Sequence, residues 1–289
     1  MNDFLFDEFQ SVSAKQWKQK IQFDLKGADY NTSLLTETNE GITIKPFYHS
    51  DQFKQLDIPK SQSDFKICQA IFVKHEKIAN QLAVNALKKG ADAIKFIAER
   101  PFDIKVLFKD LTSQNIQIHF QLQFLNEAFI LGLLDLISNK NVFFNIDLIG
   151  NLTKTGNWFY NRKEDHEILK SLLRRSDKNT GILGVDVSIY QNAGANTVQQ
   201  IAYALAHANE YLNFNHENGI NSVKNINFNF AIGNNYFFEI AKLRAFKYLW
   251  NLLLKEYNLD IKANIFVQPS LRNKTLYDFN VNMLRTTTE

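Results

Sequence analysis

The sequence predicts an α/β fold: a (β/α)8 TIM barrel truncated before its eighth strand, behind an N-terminal arm of helix and short strands. Three observations predict it. From residue 66 onward, short strand-like segments alternate with helical ones, which calls for a parallel sheet. Seven such pairs fill roughly 220 residues, the scale of an incomplete barrel. And several strands alternate polar with apolar residues, where parallel strands covered on both faces ordinarily read as continuous Val, Ile and Leu.

Residues 1–60 form the arm. In "SAKQWKQKIQFDLKG" Ser13 is the expected N-cap, Trp17, Ile21 and Leu25 recur at four-residue steps, and Gly27 is the stop. Two extended pieces around "LLTETNEGITIKPFY" and a polar loop "HSDQFKQLDIPKSQSD" complete it. The domain at 61–289 then runs "KICQAIFV" and "EKIANQLAVNALKKG"; "ADAIKFIAE" and "DIKVLFKDL"; "IQIHFQLQF" and "EAFILGLLDLIS". It continues with "VFFNIDLIG" and "KEDHEILKSLLRR"; "LGVDVSIY" and "TVQQIAYALAHANEYL"; "INFNFAIG" and "NYFFEIAKLRAFKYLWNLLLKEY". "IKANIFVQ" and "DFNVNMLRTTTE" close it, the last helix barely begun. A doubly wound open sheet is the alternative, but "FVKHEK" after the first strand is no glycine-rich phosphate turn.

The polar parity is specific. Gln117, His119, Gln121 and Gln123 share one strand face; Asn145 and Asp147 share another. Asp186 and Ser188 oppose Val187 and Ile189; Asn227 and Asn229 oppose Phe228 and Phe230; Asn264 and Gln268 oppose Ile265 and Val267. With helices on the apolar face, the polar face lines the barrel lumen, where unpaired groups each cost about 1–3 kcal/mol. A one-sided antiparallel sheet facing solvent is the bland alternative, and the intervening helices argue against it.

Composition narrows the function classes. With 45% hydrophobic and 22% charged residues the chain is an ordinary globular protein. A net charge of +3, spread along the chain, leaves no nucleic-acid footprint. The single cysteine, Cys68, excludes an intrachain disulfide and a cysteine zinc cluster and fits a cytoplasmic protein. No signal peptide or membrane-length apolar run is read. The 25 phenylalanines read as genome composition before function.

Three stretches carry a resemblance: "FAIGNNYFFEIAKLRAFKYLW", "VNMLRTTTE" and "AGANTVQQIAYALAHANEYL", with "WKQKIQFDLKGADYNTSLLTETNEGITIKPFY" looking like a leader. They resemble the methylmalonyl-CoA mutase family. The resemblance implies a barrel whose small polar lumen takes an acyl-CoA, and a catalytic chain in which adenosylcobalamin starts a radical rearrangement. In catalytic chains the turn before "AGA" reads Tyr-His-Met-Gln-Glu-Ala-Gly-Ala; here Ile189 stands at the His position and cannot hydrogen-bond. Asp147 stands where a substrate-contacting Gln is expected, and "GNLTKTGNWFYN" has no counterpart of the arginine motif that holds the substrate carboxylate. In "FVQPSL" Gln268 survives, but Phe266 replaces a His; "KPFYHSD" offers only Tyr48, outside the family's tyrosine loop. The Asp-x-His-x-x-Gly cobalamin loop is absent, "EDHEIL" lying in a helix.

These departures resemble the small, non-catalytic subunit that pairs with a large catalytic isomerase chain as a heterodimer. No catalytic residue and no bound cofactor is expected here, adenosylcobalamin belonging to the partner. The arm, with Phe4, Phe6, Phe9 and Trp17, is the expected subunit contact. The alternative is a self-standing enzyme or binding protein that uses the lumen for a CoA ester or small metabolite. No metal site is expected, because the six histidines lack ligand spacing. His119 is the one histidine on a polar strand face, and Asp147 with Asp186 reads as an interior polar network. In "EIAKLRAFKYLW", Ile240, Leu243 and Tyr248 are the expected core face, with Lys242, Arg244 and Lys247 on the solvated side.

Overall fold

The computed structural model describes residues 8–59, 65–109, 111, 116–137, 141–175 and 179–289. They fall into two compact units, Met1–Asp57 and Ile58–Glu289. In the first unit, helix α1 (Ala14–Asp24) starts at Ser13 through a capping box: Gln16 N–H donates to Ser13 Oγ at 3.3 Å, and Ser13 N–H donates to Gln16 Oε1 at 2.9 Å. It ends where Lys26 and Gly27 enter positive φ, 49° and 98°. Helix α2 (Tyr30–Leu34) is capped by Asp29, and β1 (Thr36–Glu37) pairs antiparallel with β2 (Thr43–Ile44). Trp17 meets Phe47 edge-on at 6.3 Å. Phe4 and Phe6 lie outside the described residues.

The second unit is one parallel sheet of seven strands in sequence order among the described residues. Its strands are β3 (Cys68–Phe72), β4 (Ala93–Ala98), β5 (Gln117–Leu122), β6 (Asn141–Ile146), β7 (Thr180–Asp186), β8 (Asn225–Ile232) and β9 (Lys262–Pro269). The helices are α3 (Glu76–Lys88), α4 (Ile104–Leu107), α5 (Glu127–Leu136), α6 (Leu148–Thr155), α7 (Arg162–Arg175), α8 (Ser188–Asn192), α9 (Thr197–Glu217), α10 (Tyr236–Glu256) and α11 (Phe279–Thr288). Against the sequence reading, "DIKVLFKDL" gives only the single turn of α4, while α6 and α8 were not anticipated. Among the described residues no helix is long and apolar enough to cross a membrane.

The sheet is strongly curled. In a flat sheet β4 and β9 would stand five strand spacings apart, about 24 Å. Here Lys95 Nζ on β4 lies 4.7 Å from the centre of the Phe266 ring on β9, and the His119 ring on β5 lies 5.1 Å from it. The convex face packs on the helices, and phenylalanine builds that layer. Phe96, Phe120 and Phe144 follow one another across β4, β5 and β6 at 6.1 and 5.3 Å. Phe246 of α10 touches Phe228 at 4.7 Å and Phe230 at 5.0 Å. Each fully buried ring contributes roughly 1.5–3 kcal/mol, so the phenylalanine content has a packing role beyond genome composition.

Helix α10 corrects the sequence reading. Its inward stripe is Glu239, Lys242, Phe246, Trp250 and Leu254, while Ile240 is exposed. Lys242 is buried because its Nζ has partners: Glu239 Oε2 at 2.5 Å, Gln200 Oε1 at 2.9 Å and the Ala231 carbonyl at 2.8 Å.

Candidate functional site

A cavity of about 250 Å³ lies inside the curl, toward the carboxyl ends of β5, β6 and β7. This is where parallel α/β sheets place ligands. Its geometry begins with β6. The register between β6 and β7 shifts between Phe143 and Ile146, and Asn145 sits there at φ 52°. The neighbouring strand has to be bare to permit this. A Cβ on Gly184 would stand 2.7 Å from the Asn145 Cα, and one on Gly181 would stand 2.4 Å from the Phe143 ring. The bulge turns Asn145 so that its Nδ2 donates to the Phe120 carbonyl at 2.7 Å, while its Oδ1 is buried without a partner.

Two residues further on, Asp147 caps α6 and gathers three elements. Its Oδ1 accepts from Gly150 N–H at 2.7 Å, His207 Nε2 at 2.8 Å and the Tyr211 hydroxyl at 2.8 Å. Its Oδ2 accepts from Asp186 N–H at 2.8 Å. Burial would raise this carboxyl, but the charge and hydrogen bond of His207 and the two backbone N–H groups outweigh it and hold it below the ordinary carboxylate value. Gly150 is required because any Cβ there would lie 2.3 Å from Asp147 Oδ2. His207 Nδ1 meets the Tyr190 hydroxyl at 3.1 Å. Burial, then the Asp147 charge, pushes the Tyr211 hydroxyl well above its usual range, so it stays a donor.

Asp186 ends β7, and the chain corrects the expected strand from there. Its Oδ1 accepts from Ser188 N–H at 3.2 Å, Ser188 Oγ at 2.5 Å and Asn229 Nδ2 at 2.7 Å. The bond to the backbone two residues on closes a turn, with Val187 at φ −68° and ψ −20°. Ser188 and Ile189 therefore belong to α8, not to an alternating strand. Ile189 comes round to the cavity beside Asp186, and Ser188 is buried outside the lining. Burial raises the Asp186 carboxyl, the opposite direction from Asp147.

The remaining wall comes from β4, β5, β8 and β9. Lys95 and His119 are register partners, 6% and 3% exposed. The His119 ring stacks on Phe143 at 4.9 Å, its Nδ1 has no partner, and burial followed by the Lys95 charge lowers its pKa to about 3. Burial also lowers the Lys95 amine, opposed by the charge of Asp186. Gln121, Asn227, Asn229 and Phe266 line the same space. Asn264 donates to Asn227 behind it, and Gln268, in register with Ala231, does not reach it. Lys95, His207 and Tyr211 were not singled out from sequence. Lys95 sits at the same alternating parity in "ADAIKFIAE" that marked His119, so that signal was available.

A family model described as methylmalonyl-CoA mutase matches residues 139–289, just over half of the chain. The chain is similar to the methylmalonyl-CoA mutase small subunit of Porphyromonas gingivalis, 28% identical over 99% of this chain and 52% of that protein. It is also similar to the methylmalonyl-CoA mutase small subunit of Propionibacterium freudenreichii subsp. shermanii, 33% identical over 35% of this chain and 17% of that one. The methylmalonyl-CoA mutase large subunit of Streptomyces virginiae is 31% identical over 39% of this chain and 16% of its own length. The chain thus spans about half the length of the Porphyromonas relative.

Proposed function

The chain belongs to the methylmalonyl-CoA mutase family, and on that premise we propose that it is a small, non-catalytic subunit of a cytoplasmic mutase. It pairs with a large chain that carries adenosylcobalamin and interconverts methylmalonyl-CoA and succinyl-CoA. In this reading the curled parallel sheet is the family's (β/α)8 barrel.

The observation that carries the proposal is the engagement of Asp147 by the protein's own donors. Where the resemblance places a substrate-contacting Gln, this carboxylate is already engaged by four donors of the protein itself, three on Oδ1 and one on Oδ2, and as an ionised acceptor it has no N–H to offer a substrate carbonyl. Ile189 and Phe266, at the positions of the family's two histidines, offer the cavity no hydrogen bond. The cavity volume, about 250 Å³, falls below the roughly 300–1,000 Å³ of sites for drug-sized ligands, and a whole CoA ester exceeds it.

The residues also do not fit cobalamin. Asp165 and His166, the one Asp-His pair, lie in α7. The Asp165 carboxylate accepts from the N–H groups of Phe159 and Tyr160, and the His166 ring is held between Trp158 and Phe214. The first unit supports a subunit contact, since Phe9, Phe23, Phe53 and Leu56 are all exposed on it.

Light scattering of the chain mixed with a large mutase subunit from the same genome tests the proposal. A one-to-one complex is expected, with turnover that survives Ile189→Ala and Phe266→Ala here and depends on adenosylcobalamin in the large chain. Absence of a complex, or turnover by this chain alone, overturns it.

A further inference from the structure

Helix α9 ends on a pair of residues with a chemistry of their own. Asn218 is the one asparagine in the sequence that is followed by glycine. Gly219 takes φ 63°, a left-handed turn that a side chain would strain, so the backbone nitrogen here stays unhindered. The turn closes through Gly219 N–H to the His216 carbonyl at 3.2 Å and Ile220 N–H to the Asn215 carbonyl at 2.8 Å. Asn218 Nδ2 adds a bond to the Phe214 carbonyl at 2.9 Å. Asn218 is half-buried and Gly219 exposed, so water reaches the pair.

We propose that Asn218–Gly219 is a self-modification site, a slow deamidation that needs only water. The Gly219 nitrogen attacks Asn218 Cγ. The N–Cγ bond forms, the Cγ–Nδ2 bond breaks, and ammonia leaves with the Gly219 proton. Water then opens the five-membered imide at either carbonyl, giving aspartate or isoaspartate. The fold sets the pace. At ψ 5° the Gly219 nitrogen eclipses the Asn218 nitrogen and points away from Cβ and Cγ. The ring therefore closes only when the last turn of α9 opens, as helix ends do before the rest of a fold. Neither product rebuilds the turn. Aspartate sets an acceptor against the Phe214 carbonyl and a negative charge at the negative end of the α9 dipole. Isoaspartate adds a methylene to the backbone inside the loop that the Ile220–Asn215 bond closes. The end of α9 thus changes in one direction only, on the helix that carries His207 and Tyr211. Nothing in this inference depends on subunit pairing.

The test is incubation of the full chain in mildly alkaline buffer, with and without urea, followed by peptide mapping that separates aspartate from isoaspartate. In the folded chain the exchange of NH2 for OH appears at Asn218 ahead of every other asparagine. In urea it runs at least about tenfold faster, because the closed turn no longer holds the nitrogen away. Asn218→Gln, which keeps the amide but lengthens the ring to be closed, stays unmodified. Hydrogen exchange of the Ile220 amide is at least about tenfold faster in the isoaspartate form than in the fresh chain. The proposal is overturned by an unmodified Asn218 in the folded chain, by equal rates with and without urea, by modification at position 218 of the Asn218→Gln chain, or by unchanged Ile220 exchange.

Discussion

Replacing Asp147 with Asn and, separately, Asp186 with Asn has unequal consequences, although both carboxylates line the same cavity. An amide keeps one acceptor oxygen and exchanges the other for a donor. At Asp186 all three bonds fall on Oδ1, so an asparagine oxygen turned that way preserves them and removes a charge that burial disfavours. At Asp147 the donors are divided, three on Oδ1 and one on Oδ2. The new NH2 then faces the Asp186 N–H, orphaning it at about 1–3 kcal/mol, and three charge-assisted bonds become neutral at about 1 kcal/mol each. The lower cost of burying an amide offsets part of this. The net expectation is about 2–4 kcal/mol lost for Asp147→Asn and under about 1 kcal/mol for Asp186→Asn. Urea unfolding at neutral pH, followed by circular dichroism, measures both.

Acid adds a second reading of the same pair. Asp147 has a folded value below 3.8, so its contribution is present above that and is lost as pH falls through the folded value. The penalty of Asp147→Asn therefore narrows in strong acid. Asp186 has a raised folded value, so its contribution is present at low pH and is lost as pH rises through that value. Equal losses from the two variants at neutral pH, within about 0.5 kcal/mol, would refute the division of donors as the cause.

Three further outcomes are expected. Gly150→Ala drives a methyl into the Asp147 carboxylate and costs about 1–3 kcal/mol in urea unfolding. Phe246→Ala empties a site between Phe228, Phe230 and Trp250 and costs about 3–5 kcal/mol, seen calorimetrically as a Tm lowered by about 10 °C. Lys242→Met strands the buried Glu239 carboxylate at about 3–5 kcal/mol, and adding Glu239→Gln recovers most of that in the double-mutant cycle.

The sheet was legible because strand parity is local. The alternation of "IQIHFQLQF" and "INFNFAIG" carries through to one inward face, and the strand–helix order carries through to a parallel sheet. What stayed hidden depends on contacts remote in sequence. His207 on α9 reaches Asp147 across sixty residues, and nothing in "IAYALAHANEYL" marks that histidine apart from its helical stripe. The same remoteness disguised Lys242: its partner Gln200 lies on α9, so a lysine in a core stripe read as solvated. The end of β7 failed for a local reason, since the Asp186 turn interrupts a sequence whose alternation runs on to Ile189.

The position of Asp147 bears on the order in which the chain acquires structure. Helix α6 takes its cap from a residue whose other ligands, His207 and Tyr211, are sixty and more positions downstream. At synthesis rates of about 5–20 residues per second, roughly 3–12 seconds separate the emergence of the carboxylate from that of its histidine. Until α9 has emerged, the Asp147 carboxylate lacks the His207 and Tyr211 donors that it has in the folded chain. The donor set around Asp147 is therefore complete only once α9 has docked.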